Sequence, residues 1–207
     1  MVSNDISWPE FSNDLDAVTH AIGLTILDYV RLQTTFNRFI SITGLLDSKT
    51  FSFLRRTLNN SEKSQFLKIL LESIDTNVEN LAELSDAFIK RYNICTENRN
   101  ILAHCSVVPK SIIGPILQKT PSKKLSSFKA DVEGLREIAE SIRTTSHFGE
   151  NLMAYMDLNS NIPGLRTSTM MNKQAKTGPP TIPPLPRKMD HILPDSTPLI
   201  LERLGQS

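Results

Sequence analysis

The side chains best suited to acid–base chemistry in this 207-residue chain lie close together: Arg99, Asn100 and His104 fall within six positions. A histidine exchanges its proton near neutral pH and can serve as general acid or base. An arginine offers a fixed fork of donors that pairs with phosphate or carboxylate, and an asparagine brings both a donor and an acceptor. On a helix Asn100 and His104 stand at i and i+4 and share a face, whereas Arg99 is turned away from Asn100 by about 100°. An arginine five residues before a histidine cannot comfortably clasp the same phosphate from one helix. Two such helices related by a two-fold axis could surround it, so the spacing predicts a homodimer.

The elements that must carry these residues read as helices. Within residues 1–158 the apolar residues recur at helical spacing, and long alternating runs of the strand type are absent. A first helix is expected from about Asn13 to Ile42, with Leu15, Val18, Ile22, Ile26, Tyr29, Phe36 and Phe39 or Ile40 on one stripe. A short helix over Phe51–Leu58 follows. After the break at Asn59-Asn60-Ser61, Ser61 can cap a segment that buries Phe66, Leu67, Leu70, Leu71 and Ile74. Another helix starts at Asp75 or Thr76, places Val78, Leu81, Leu84, Phe88, Tyr92 and Cys95 three or four apart, and continues to His104. From Ser106 to Lys124 the prolines and glycine break the pattern, which predicts an irregular loop or a small hairpin. A last helix is expected from Ser126 to Met156, burying Phe128, Val132, Leu135, Ile138, Ile142, Phe148, Leu152 and Tyr155. The fold class is therefore all-α, a four- to five-helix bundle.

The run Arg99-Asn100-Ile101-Leu102-Ala103-His104, late in a long helix of such a bundle, resembles the signature of the HEPN superfamily: an arginine, four to six intervening residues and a histidine, often with Asn, Asp or His directly after the arginine. The motif covers six residues and the architectural likeness about 150. The resemblance implies a metal-independent endoribonuclease without a cofactor, whose site is composed across a dimer. In it the 2′-hydroxyl attacks the adjacent phosphodiester and leaves a 2′,3′-cyclic phosphate. His104 would be the general acid or base, Arg99 would stabilise the charge of the transition state, and Asn100 would position the hydroxyl, the phosphate or His104. Bacterial toxin or defence systems are the setting it suggests, with RNA as substrate and an inhibitor as a further partner. The chain departs from related patterns in two places. Ser106 stands where some such toxins carry a tyrosine, and the acid nearest the middle of the first helix is Asp28.

Each of these residues also has a plain reading. Arg99 can be a helix-end cation on the surface and His104 a histidine bonded to the last carbonyls of its helix. Cys105 follows His104, but adjacent helical residues diverge too far for a Cys-His dyad, so it reads as a small apolar residue. Lys90, Arg91 and Lys110 flank the motif and could contact RNA backbone, or be ordinary solvated charges. His20 and His147 have no neighbour at metal-ligand spacing and read as structural, and no metal site is expected.

Composition bounds the rest. With 23 Lys+Arg against 22 Asp+Glu, the net charge of +1 does not indicate binding of nucleic acid by overall charge. Cys95 and Cys105 cannot make a disulfide framework, which suggests a reducing compartment. Neither a signal peptide nor a membrane span is expected, so the chain reads as cytoplasmic. Residues 1–12 read as an N-terminal extension and 13–158 as the helical domain. Beyond it, residues 159–207 contain eight of the 12 prolines and none of the aromatic residues. They read as a disordered, proline-rich and cationic tail. Within it, Pro179 to Lys188 looks like a polyproline II stretch, either a spacer or a ligand for a tail-binding protein, and the apolar end Pro198–Leu204 could dock on a domain or a partner. A non-catalytic helical domain that binds RNA, nucleotide or protein, with the tail as its contact, is the alternative function.

Overall fold

Four of the five helices among the described residues, all but the fourth, begin where a side chain satisfies the first free backbone N–H groups. Helix α1 (Asp14–Thr43) is capped by Asn13, whose side chain accepts from the Asp16 N–H. Helix α2 (Ser48–Thr57) is capped by Asp47 and buries none of its residues. Helix α3 (Asn60–Ser73) starts with a reciprocal box: Asn59 Oδ1 accepts from the Glu62 N–H, and Glu62 Oε2 accepts from the Asn59 N–H. The break was legible, but the cap is Asn59 and not Ser61. Helix α4 (Leu81–His104) follows Asn80, which adopts a left-handed backbone with φ 57°. Helix α5 (Val132–Asn159) closes the bundle. The structure is a computed structural model that describes residues 9–44, 46–73, 78–108, 116–119, 126–129, 131–159, 178–189 and 191–192.

The five helices among the described residues bear out the helical reading, and most of the expected apolar stripes meet in one core, except that Leu15 is 42% exposed and the motif helix begins at Leu81, so that Val78 precedes it. Helices α1, α4 and α5 pack on one another, with α3 laid against α1 and α4. At the centre the Phe36 and Tyr92 rings stack 3.7 Å apart, and Phe88 lies against Phe36, Phe39 and Phe148. Gly149 lets α5 approach this cluster, because a Cβ there would fall 2.5 Å from the Phe88 ring.

A small sheet is added to the helices. Strands β1 (Cys105–Val108), β2 (Ile116–Lys119), β3 (Ser126–Lys129) and β4 (His191–Ile192) pair antiparallel in that order. Of the two expectations for residues 106–124, the hairpin describes β1 and β2. Ser126–Lys129, expected as the first turn of the last helix, is instead a strand in which Phe128 pairs with Leu117. The reason is the cap: Asp131 Oδ1 accepts from the Gly134 N–H at 2.7 Å, so α5 cannot begin before Val132.

Disorder throughout residues 159–207 is also corrected. Residues 178–189 run as an extended strap over α4 and α5, with Pro186 and Met189 buried and Ile182 packed on the core. An extended proline-rich backbone makes no hydrogen bonds of its own, so it can dock wherever side chains meet its carbonyls. Here Arg91 and Asn98 do so. The residues of the tail at 160–177, 190 and 193–207, including Pro198–Leu204, lie outside the described residues, as do residues 1–8 of the N-terminal extension.

Candidate functional site

Helix α4 passes directly into β1: Cys105, the residue after His104, is already extended, with φ −105° and ψ 147°. The motif therefore sits at a helix-to-strand junction, beside an open groove of about 740 Å³ between α4, the start of α3 and β3. Asn100 and His104 both line it, one turn apart and exposed, together with Asn59, Asn60 and Glu97. The sharing of one face by Asn100 and His104 is as their spacing required.

Arg99 points elsewhere, again as the helical angle required. Its guanidinium carbon lies 5.5 Å from the centroid of the Tyr29 ring on α1, and its Nη1 donates to Asn100 Oδ1 at 3.2 Å. Because a guanidinium can only donate, this contact fixes the amide of Asn100 and leaves its NH₂ for the groove. The Nε–H of Arg99 is sealed from solvent and has no hydrogen-bond partner among the described residues. Arg99 thus reaches the groove through Asn100.

Under the groove runs a buried network with a determined direction. Thr96 Oγ1 donates to the Tyr92 carbonyl at 2.8 Å and must therefore accept from the Tyr29 hydroxyl, 2.9 Å away. The Tyr29 hydroxyl accepts from Asn60 Nδ2 at 3.2 Å, and the Tyr92 hydroxyl donates to Asn60 Oδ1 at 3.3 Å. Three helices, α1, α3 and α4, are locked together by polar atoms whose alternative is an unpaired buried group. Burial pushes the Tyr92 hydroxyl far above its ordinary range, with the neighbouring Tyr29 adding to the shift. The network is accordingly neutral and structural. The sequence placed Tyr29 on a buried stripe and Asn60 at a helix break, but nothing in its pattern joined them to Thr96; the one available signal was Thr96 four residues after Tyr92 on the motif helix.

The flanking cations divide. Lys90 is exposed, while Lys110 lies outside the described residues. Arg91, expected as a backbone contact for RNA, is not free for one: it is buried, its Nε and Nη2 both donate to the Pro183 carbonyl, and its Nη1 donates to that of Ala87. The guanidinium also stacks 5.9 Å from the Phe148 ring centre. Its role is to anchor the strap. Asp28 is likewise committed, to Arg143 at 2.8 Å and Arg31 at 3.5 Å, and not to the motif.

Cys95 is buried, and burial raises its thiol to about 12, which removes it as a nucleophile. His147 pairs with Glu150 at 3.5 Å and His20 lies beside the Phe11 ring. Among the described residues no three His, Cys, Asp or Glu side chains are grouped as metal ligands, and no helix is long and apolar enough to cross a membrane. No protein-family model, curated protein or solved structure matches the chain.

Proposed function

We propose that the chain is an HEPN-like, metal-independent endoribonuclease that acts as a homodimer, in the manner of bacterial toxin or defence nucleases. The observation that supports this reading is the presentation of Asn100 and His104 along one groove, with Arg99 tied to Asn100. In the reaction the 2′-oxygen of RNA bonds to phosphorus as the bond to the 5′-oxygen breaks. His104 of one copy takes the proton of the 2′-hydroxyl and passes it to the leaving 5′-oxygen. Arg99 and the Asn100 amide meet the charge that accumulates on the phosphate. Leu27 and Val30 of α1 are 63% and 54% exposed, apolar surface that a second copy would cover.

The test is incubation of the protein and its His104→Ala variant with a mixed RNA pool in excess EDTA. Cyclic-phosphate ends are expected from the wild type and not from the variant, whose fold should persist because His104 is exposed. Intact RNA in both would reject the reading. A second reading, a non-catalytic RNA- or nucleotide-binding domain, is favoured by one observation: the Arg99 guanidinium faces Tyr29 and not the groove. Binding of RNA without cleavage would establish it.

A further inference from the structure

The strap joins both walls of the groove. Asn98, only 1% exposed and next to Arg99, clamps its backbone with both ends of one amide: Nδ2 donates to the Arg187 carbonyl at 2.7 Å, and Oδ1 accepts from the Met189 N–H at 3.1 Å. Two residues further on, β4 pairs with β3 and sets His191 opposite Phe128, a residue of the groove wall. Between these attachments Lys188 Nζ lies 3.3 Å from Glu97 Oε2.

That ion pair is exposed on both sides, 64% for Lys188 and 57% for Glu97, so it adds little to folding. Its place gives it another consequence. Glu97 is the carboxylate that lines the groove among the described residues, three residues before Asn100 and seven before His104 on the same face of α4. Left unpaired, it would repel a phosphate at the motif. No residue of the strap lines the groove, so the strap does not block it.

We infer that the C-terminal strap is a working part of the groove, with Asn98 and Lys188 as positioning residues: Asn98 holds the strap against the motif helix, and Lys188 cancels the charge of Glu97 so that the groove accepts an anionic phosphodiester. This rests on the ribonuclease reading for the identity of the ligand, but not for its charge. One unit charge at about 6 Å through water changes the affinity for a singly charged phosphate about threefold.

The experiment measures binding of a 2′-O-methyl RNA hexamer, which cannot be cleaved, to the full chain by fluorescence anisotropy. Inorganic phosphate is titrated in parallel against the Asn100 side-chain amide resonance. Lys188→Gln should weaken the RNA about threefold and inorganic phosphate, which carries up to two charges, by about three- to tenfold, Glu97→Gln should strengthen each by a similar factor, and the double variant should return to the wild-type affinity. A Lys188→Gln loss that Glu97→Gln does not restore would make Lys188 a direct ligand contact and overturn the inference. So would unchanged affinity in all variants, or no phosphate response in any of them. Rapid exchange of the Met189 amide in the wild type would show the strap undocked and overturn it equally. A phosphate response with the expected charge pattern but no RNA binding would sink the ribonuclease reading and leave the strap's role standing.

Discussion

Tyr29 supports the motif in two separable ways, through its hydroxyl and through its ring, and two substitutions should tell them apart. Tyr29→Phe removes one oxygen from a side chain that is 2% exposed. Thr96 Oγ1 keeps its bond to the Tyr92 carbonyl and loses only the hydrogen that it accepted. Asn60 Nδ2 loses its partner, but Asn60 lines the groove, where water can replace the hydroxyl. The loss of one buried bond with partial replacement corresponds to about 1–2 kcal/mol. For a chain of this size that is a fall in melting temperature of about 3–6 °C. The Phe ring still carries the Arg99 guanidinium, so RNA cleavage should survive.

Tyr29→Leu removes the ring as well. It leaves a gap beside Tyr92, whose ring lies 6.3 Å away, and takes the support from under Arg99. Truncation of a buried aromatic residue costs about 3 kcal/mol or more, and cleavage should fall with it beyond the loss of folded protein. Urea denaturation followed by fluorescence gives the two stabilities, and the EDTA-resistant cleavage assay gives the two activities. Equal stability losses in the two variants, or a neutral Tyr29→Phe, would refute the assignment of the network as what locks α1 and α3 to the motif helix.

Two further substitutions test the frame around the site. Gly149→Ala puts a Cβ 2.5 Å and 2.6 Å from two atoms of the fully buried Phe88 ring and 3.0 Å from Thr35 Cγ2. Overpacking of about 1–3 kcal/mol should outweigh the gain in helix propensity of about 1 kcal/mol, and thermal denaturation should show a net loss. Asp131→Asn probes the start of α5. Burial works against the Asp131 carboxylate, but the Gly134 N–H, Lys129 and Arg187 outweigh it and hold the group below its ordinary 3.8. A depressed value stabilises the fold fully above the unfolded pKa, and that contribution is lost as pH falls through the lower folded value. The variant should therefore flatten the acid limb of stability below about pH 4, as measured by melting temperature against pH.

Helical periodicity made most of this frame legible, because buried stripes at steps of three and four leave α1, α4 and α5 few alternatives. It could not register competition between a cap and a strand. Phe128 is apolar and correctly spaced for the last helix, yet Asp131 begins that helix three residues later, and Ser126–Lys129 pairs with β2 instead. In the tail, composition correctly predicted an extended backbone and wrongly predicted an unattached one. What attaches it is Arg91 and Asn98, which are seven apart and so face the same way on α4. Asn98 looked like an ordinary polar residue and Arg91 like a contact for RNA until their partners, 89 to 92 residues later, were known. Arg91 and Arg99 illustrate the same limit: both are arginines on the motif helix, one given to the Pro183 carbonyl of the strap and the other resting on a ring with its Nε–H unpaired among the described residues.

The position of Arg99 bears directly on whether two copies share a site. Within one copy its guanidinium lies over Tyr29, while His104 faces the groove, so one phosphate does not meet both from the same chain without movement. A site shared between two copies lets Arg99 keep its place over the ring. If Arg99 of one copy and His104 of the other serve the same phosphate, Arg99→Ala and His104→Ala are each inactive but complement each other. Random exchange makes half of the dimers mixed, and each mixed dimer has one of its two sites intact, so the mixture should recover about a quarter of the wild-type rate. Cleavage of RNA in EDTA by the two variants, alone and after co-refolding, measures this. Wild-type activity with no recovery in a mixture shown by native mass spectrometry to contain mixed dimers would place both residues on one chain. Arg99 would then have to leave Tyr29 within its own copy, and the two-fold argument from the spacing would be lost.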